Sequence, residues 1–273
     1  GIAILFITHR LDEIKSITDN ITVLRDGKFV KSVKTADITT GEIAEAMVGR
    51  NIELTSSDSR KFSEDHEISL KIEDLHVNMP GEVIKGISLD IRKGEILGIG
   101  GLAGQGKLGI SNGIMGLYPT AGKVFKDGKE LPRNNPREML NNEIAFLSED
   151  RKEVGLLLDE PIDFNIAYTS IEIKEDFIKK IGPMKLVEKK KISKHSLDMI
   201  ERLDIRCKDQ KQHTRYLSGG NQQKVCIARA LTFGPDILMV SEPTRGIDVG
   251  AKKLVLDTLL ELNEKHNMTI IIT

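Results

Sequence analysis

Charge of one sign is what this sequence most plainly lacks: 40 basic and 41 acidic residues leave a formal net charge of -1 over 273 positions. No global field then draws the chain toward nucleic acid or an anionic membrane, so neither is an expected partner. Cysteine is almost missing too. Cys207 and Cys226 stand without metal-type spacing or a disulfide framework and read as small buried apolar side chains in a reducing cytosol. No run approaches the roughly 18–20 apolar residues of a membrane helix, so any link to a membrane is expected to run through a partner. No Met opens the chain, and Gly1 lies directly inside an apolar run, which predicts a piece of a longer protein. What is present, 39% hydrophobic and 30% charged residues, is enough to build a soluble globular core.

The two ends resemble each other. Gly1–Thr8 (GIAILFIT) and Asn267–Thr273 (NMTIIIT) are short apolar runs closing on Ile-Thr, and both read as buried parallel strands. One repeat of a tandem protein spans such a distance. After the first run, Leu11, Ile14 and Ile17 share a helical face, and Asp26-Gly27 sits between two strand-like runs as a hairpin turn. Thr39 or Thr40 then caps a helix carrying Ile43, Met47 and Val48. A first, incomplete domain is expected over 1–52, a polar linker over 53–68, and a second domain over 69–273. In the second, strands are predicted near 86–91, 95–99 and 143–148, a hairpin at Asp127-Gly128, helical material over 161–202, a helix at 224–233, a strand at 236–240, a helix over 250–265 and a last strand. Alternation of strand and helix implies an α/β core with a helical insertion. The lysine-rich stretch 185–195 reads as a solvated helix face.

Chemistry enters at Gly101-Leu-Ala-Gly104-Gln105-Gly106-Lys107, between a predicted strand and a predicted helix. Glycines let successive backbone N–H groups turn toward phosphate oxygens, the lysine reaches the β and γ phosphates, and a helix N-terminus favours negative charge. The next position, where a hydroxyl would hold Mg²⁺, is Leu108; the end of the strand at 237–240, where an aspartate would be the second ligand, offers Ser241. Both contacts to the metal are altered, so nucleotide is expected to bind with Mg²⁺ held poorly. Glu242 follows, placed to polarise an attacking water. In Tyr216–Leu231 (YLSGGNQQKVCIARAL), Ser218, Gly219 and Gly220 open a helix with a hydroxyl and free N–H groups that can face a γ-phosphate.

These stretches resemble the ATPases of ABC transporters. LSGGNQQ, with Ser218, Gly219, Gly220 and Gln222, is similar to their signature motif; 101–107 resembles Walker A, ILMVSEP Walker B, TRGIDVGAK the D-loop region, and ITHR, with His9, the switch-histidine segment. LSEDRKEVGLL at 147–157 narrows the resemblance to the duplicated ATPases of ribose- and galactose-type sugar importers. It implies a P-loop α/β cassette with an α-helical subdomain and an N-terminal antiparallel β region, holding the end of one cassette and most of a second. ATP and Mg²⁺ would be the cofactors.

Partners implied by the resemblance are membrane permease subunits, an extracytoplasmic sugar-binding protein and another cassette, in the same chain or a second copy. The location implied is peripheral, on the cytoplasmic face of the membrane. Cassettes of this family pair head to tail. The resemblance therefore assigns Ser218, Gly219, Gly220 and His9 to a site built on the other cassette's phosphate loop, and Lys107 with Glu242 to a degenerate site of this one. Glu149 or a neighbour stands at the glutamine-loop position, and no aromatic residue lies near Val77–Pro80 to stack on adenine. Two alternatives carry over: a nucleotide-binding regulatory half with little hydrolysis, and import of nucleosides or autoinducer-2.

Overall fold

The structure, a computed structural model, describes residues 1–8, 10–25, 27–48, 66–247 and 249–273. His9, Asp26 and most of the expected linker lie outside the described residues. The chain divides into two compact units, residues 1–60 with 246–256, and residues 61–245 with 257–273.

In the first unit, helix α1 (Leu11–Ile17) leads into an antiparallel hairpin of β1 (Asn20–Arg25) and β2 (Lys28–Lys34), followed by helix α2 (Thr40–Val48). Alternation in β1 turns Ile21 and Val23 inward onto Ile38 and Ile43, with Leu11, Ile14 and Met47 packed around them. Thr39, rather than Thr40, caps α2: the Glu42 amide donates to Thr39 Oγ1 at 3.2 Å while Glu42 Oε2 accepts from the Thr39 amide at 2.7 Å. Both donors are orphans of the first turn, and each is satisfied by the other residue's side chain. Ile17 is exposed instead of sharing the buried face.

The strand expected over residues 1–8 is not formed. Ile2, Ile4, Leu5 and Ile7 are exposed, and the described strands of this unit, β1 and β2, pair with each other. An apolar run becomes a strand only where neighbours take its N–H and C=O groups.

The second unit carries two four-stranded sheets. β3 (Ile68–Val77), β4 (Ile84–Arg92), β6 (Thr120–Lys126) and β7 (Lys129–Glu130) form an antiparallel sheet in the order β4-β3-β6-β7. The turn between β6 and β7 has positive φ at both Asp127 (48°) and Gly128 (78°), the geometry a right-twisted hairpin requires. β5 (Ile96–Gly98), β8 (Ile144–Leu147), β11 (Ile237–Val240) and β12 (Thr269–Ile272) form a parallel sheet in the order β5-β12-β11-β8.

Helix α3 (Lys107–Ile114) follows β5, and α4 (Pro136–Asn141) precedes β8. Both sheets and α3 contribute to one core, in which Leu70, Ile72, Leu75, Ile91, Ile144, Ile237 and Met239 are almost wholly buried. Each such side chain is worth about 1.5–3 kcal/mol of burial.

The segment predicted as helical over 161–202 consists of α5 (Ile162–Lys174), α6 (Lys189–Arg202) and, between them, a hairpin of β9 (Ile178–Ile181) and β10 (Met184–Val187). Gly182-Pro183 breaks any helix at that point, with Gly182 at φ 56°. Lys185 of the lysine-rich stretch is therefore on a strand, while Lys189, Lys190, Lys191 and Lys194 are exposed on α6. α7 (Gly219–Phe233) packs against α5 and buries Val225, Cys226, Ile227 and Ala228. α8 (Val249–His266) precedes β12. Burial pushes the Cys226 thiol above its ordinary range, whereas Cys207 is only partly buried.

Candidate functional site

The parallel sheet decides where chemistry is placed. In open α/β sheets ligands sit beyond the carboxyl ends of the strands, and three of the four strands here end in residues singled out by their sequence. β5 runs into the 101–107 loop, β11 into Ser241 and Glu242, and β8 into Ser148 and Glu149. Hydrogen bonding continues past the strand ends: the Ser241 amide donates to Leu147 O at 2.9 Å, Glu242 N to Thr273 O at 3.0 Å and Ile99 N to Ile272 O at 2.8 Å. These ties fix the loop entry and Glu242 relative to one another.

Gly101, Gly104 and Gln105 are exposed, whereas Gly106 is buried and begins α3 at φ 92°. A Cβ there would also lie 2.9 Å from Val83 O, so only glycine fits. Lys107 Nζ is 3.1 Å from Glu242 Oε1, and Arg245 Nη1 is 3.2 Å from Glu242 Oε2. The backbone N–H groups converge as an anion cradle should, and the anion they hold belongs to the chain. Glu82, 7% exposed, accepts from Gly104 N at 2.8 Å through Oε1 and from Gly106 N at 2.7 Å through Oε2, with Leu108 N at 3.4 Å. A carboxylate accepting from two of these N–H groups shows that the cradle suits an anion. Glu82 was not singled out in the sequence, because no motif marks it and its partners lie 22 to 26 residues away.

Magnesium fits less well. Leu108 is partly buried against the hydrophobic core and supplies no oxygen. Ser241 is 1% exposed, and its Oγ is buried without a hydrogen-bond partner. A hard cation prefers several oxygen ligands, usually including a carboxylate. Among the described residues no group of three or more His, Cys, Asp or Glu could hold a metal. Glu149 is engaged by its neighbours: Asn112 Nδ2 donates to its Oε1 at 3.3 Å, and Ser148 Oγ to its Oε2 at 3.4 Å. These side chains do not make a Mg²⁺ site by themselves.

The Ser218 region lies at the N-terminus of α7. Ser218 is exposed and caps α7, with the Asn221 amide donating to its Oγ at 3.4 Å and Asn221 Nδ2 at 3.0 Å. Gly219 and Gly220 are partly exposed at the first turn, where unpaired N–H groups carry the positive end of the helix dipole. Gln222 turns inward instead. It is 4% exposed and its Nε2 donates to Thr214 O at 3.1 Å, which ties α7 to the loop before it. Its side chain therefore does not stand with Ser218 on the exposed tip.

Comparison with known proteins agrees with this geometry. A family model described as "ABC transporter" matches residues 84–245, more than half of the chain. The ribose import ATP-binding protein RbsA of Clostridium tetani is 39% identical over 274 residues, covering 100% of this chain and 52% of that protein. The nucleoside import ATP-binding protein NupA of Lactococcus lactis subsp. cremoris is 33% identical, covering 100% of this chain and 53% of that protein. The chain thus spans about half the length of these relatives. Among solved structures, the dimeric post-hydrolysis state of the ATP-binding cassette MJ0796 bound to ADP and Pi matches with a TM-score of 0.60 and 25% identity, covering 74% of this chain and 86% of that one. Matched by that family over residues 84–245, the chain belongs to the ABC transporter family.

Proposed function

We propose that this chain is part of the ATP-binding subunit of a carbohydrate importer, with ribose as the expected class of cargo, coupling ATP binding and hydrolysis to transport. The observation that carries the reading is the convergence of the Gly104 and Gly106 N–H groups on one anion beside Lys107 and Glu242. Backbone N–H groups would bind the β and γ phosphate oxygens of ATP, and Lys107 would neutralise their charge. Glu242 would orient the attacking water once Lys107 turns to the phosphates. Mg²⁺ would arrive on the nucleotide and be held mainly by its phosphates, with Ser241 at the position where the strand end would supply a protein ligand. The site of this cassette is accordingly expected to bind nucleotide and turn it over slowly, as a regulatory half.

Residues 1–52 are read as the end of a first cassette and 69–273 as most of a second. Ser218, Gly219 and Gly220 then serve the phosphate loop of another cassette, in the same polypeptide or a second copy, and His9 belongs to that same site. Permease subunits would hold the protein at the cytoplasmic face of the membrane, with an extracytoplasmic sugar-binding protein delivering the cargo. Among the described residues no helix is long and apolar enough to cross a membrane. The resemblance to NupA keeps nucleosides as a second class of cargo.

Uptake in cells lacking the complete protein tests this reading. Restored accumulation of labelled ribose on re-expression supports it, restored nucleoside uptake alone selects the second cargo, and no restored uptake of ribose, another monosaccharide, a nucleoside or autoinducer-2 sinks the importer assignment.

A further inference from the structure

The cradle and the lysine of the phosphate loop are both satisfied by carboxylates of the same chain. Glu82 reaches the loop from the turn between β3 and β4, where its own amide donates to Met79 O at 3.0 Å and Gly81 sits at φ 79°. The turn is seated closely. A Cβ on Gly106 would meet Val83 O at 2.9 Å and Ile84 Cδ1 at 2.7 Å, and one on Gly109 would collide with Glu82 O. Gly109 lies outside the phosphate motif, so its lack of a side chain serves the turn rather than a ligand.

An N–H group donates one good hydrogen bond at a time. Gly104 N and Gly106 N cannot serve Glu82 at 2.8 and 2.7 Å and a phosphate oxygen together. A phosphate brought beside an undisplaced carboxylate would also meet like charge at close range.

We propose that Glu82 is a built-in competitor for the nucleotide: its carboxylate holds the Gly104 and Gly106 N–H groups, and ATP enters only as the 79–83 turn gives them up. This rests on the nucleotide reading above and adds to it a threshold on occupancy of this one site. Glu242 plays the matching part on Lys107, at 3.1 Å, so nucleotide binding replaces two internal anions with one external one.

The test uses the 273-residue chain, with fluorescent mant-ATP as probe and inorganic pyrophosphate as unlabelled competitor. Glu82→Ala is expected to lower the Kd at least about tenfold, equivalent to about 1.4 kcal/mol. Glu82→Gln, which keeps the shape and one acceptor but loses the charge, should fall between Glu82→Ala and the unaltered chain. Without ligand, Glu82→Ala should melt below the unaltered chain, and pyrophosphate should restore it. Should Glu82→Ala fail to fold, Glu82→Gln carries the comparison alone. Variants that bind no tighter than the unaltered chain, while Lys107→Ala binds more weakly, would overturn the competitor and leave the nucleotide site standing. No binding by any form would overturn the nucleotide reading itself, and the competitor with it.

Discussion

Lys107 Nζ stands 3.1 Å from Glu242 Oε1, across the gap between the phosphate loop after β5 and the end of β11. The group that should meet phosphate and the group that should meet water are held by each other. Replacing Lys107 by Ala removes a cation that would bind phosphate oxygens, a charge-assisted contact of about 1.5–3 kcal/mol. ATP affinity of this chain should fall roughly ten- to a hundredfold, read by titration. In the complete protein, near-normal transport and ATPase rates for Lys107→Ala would remove any catalytic role from this loop.

Restoring metal ligands should change the site's behaviour. Leu108→Thr combined with Ser241→Asp supplies a hydroxyl and a carboxylate at the two altered positions, and ATP binding should then tighten on adding Mg²⁺. Leu108 packs partly buried on the core, so the change costs stability, on the order of 1–3 kcal/mol. A folded double variant whose ATP affinity ignores Mg²⁺ would show that other residues limit the metal.

Ser218 has two jobs that a pair of substitutions separates. Ser218→Ala removes the α7 cap and should cost about 1 kcal/mol in chemical denaturation. Ser218→Asp caps the helix as well as serine does and should recover that loss. In the complete protein both variants should lose ATPase activity, Ser218→Ala because the hydroxyl that would face the γ-phosphate is gone and Ser218→Asp because a carboxylate there repels it. Recovery of activity along with stability in Ser218→Asp would reduce Ser218 to a helix cap.

His195 is expected to make stability pH-dependent. Partial burial lowers its pKa, against the opposing pull of Asp198 and Asp176, and its Nε2 lies 2.7 Å from Thr232 Oγ1. A lowered folded pKa means that the unfolded chain binds the proton more readily. The contribution is therefore complete above the unfolded value near 6.5 and fades as pH falls through the folded one. Melting temperature should drop between neutral and mildly acidic pH, and His195→Gln should flatten that drop. An equal slope in both proteins would assign the dependence to other groups.

Local rules made much of this legible. The phosphate loop lies where its strand-loop-helix setting places it, Ser218 caps α7, and the Asp127-Gly128 turn has the backbone its residues require. What the sequence concealed depends on distant partners. Residues 1–8 are as apolar as β12, yet only β12 has neighbours on both sides of it. The β9–β10 hairpin was hidden because Lys179, Lys180 and Lys185 mask its alternation, although Gly182-Pro183 marked the break. Gln222 lies within the signature-like stretch but spends its amide on Thr214 O. Glu82 carries no motif at all; its role exists only because the β3–β4 turn closes on a loop more than twenty residues away.

The most direct measurement is calorimetric titration of this chain with ATP, once in chelator and once in excess Mg²⁺. Binding in both conditions, with Kd values within about threefold of each other, is the expected result for a phosphate loop that grips the nucleotide through its own backbone and leaves the metal to the phosphates. Binding that is absent in chelator and strong with Mg²⁺, or absent in both, would contradict it.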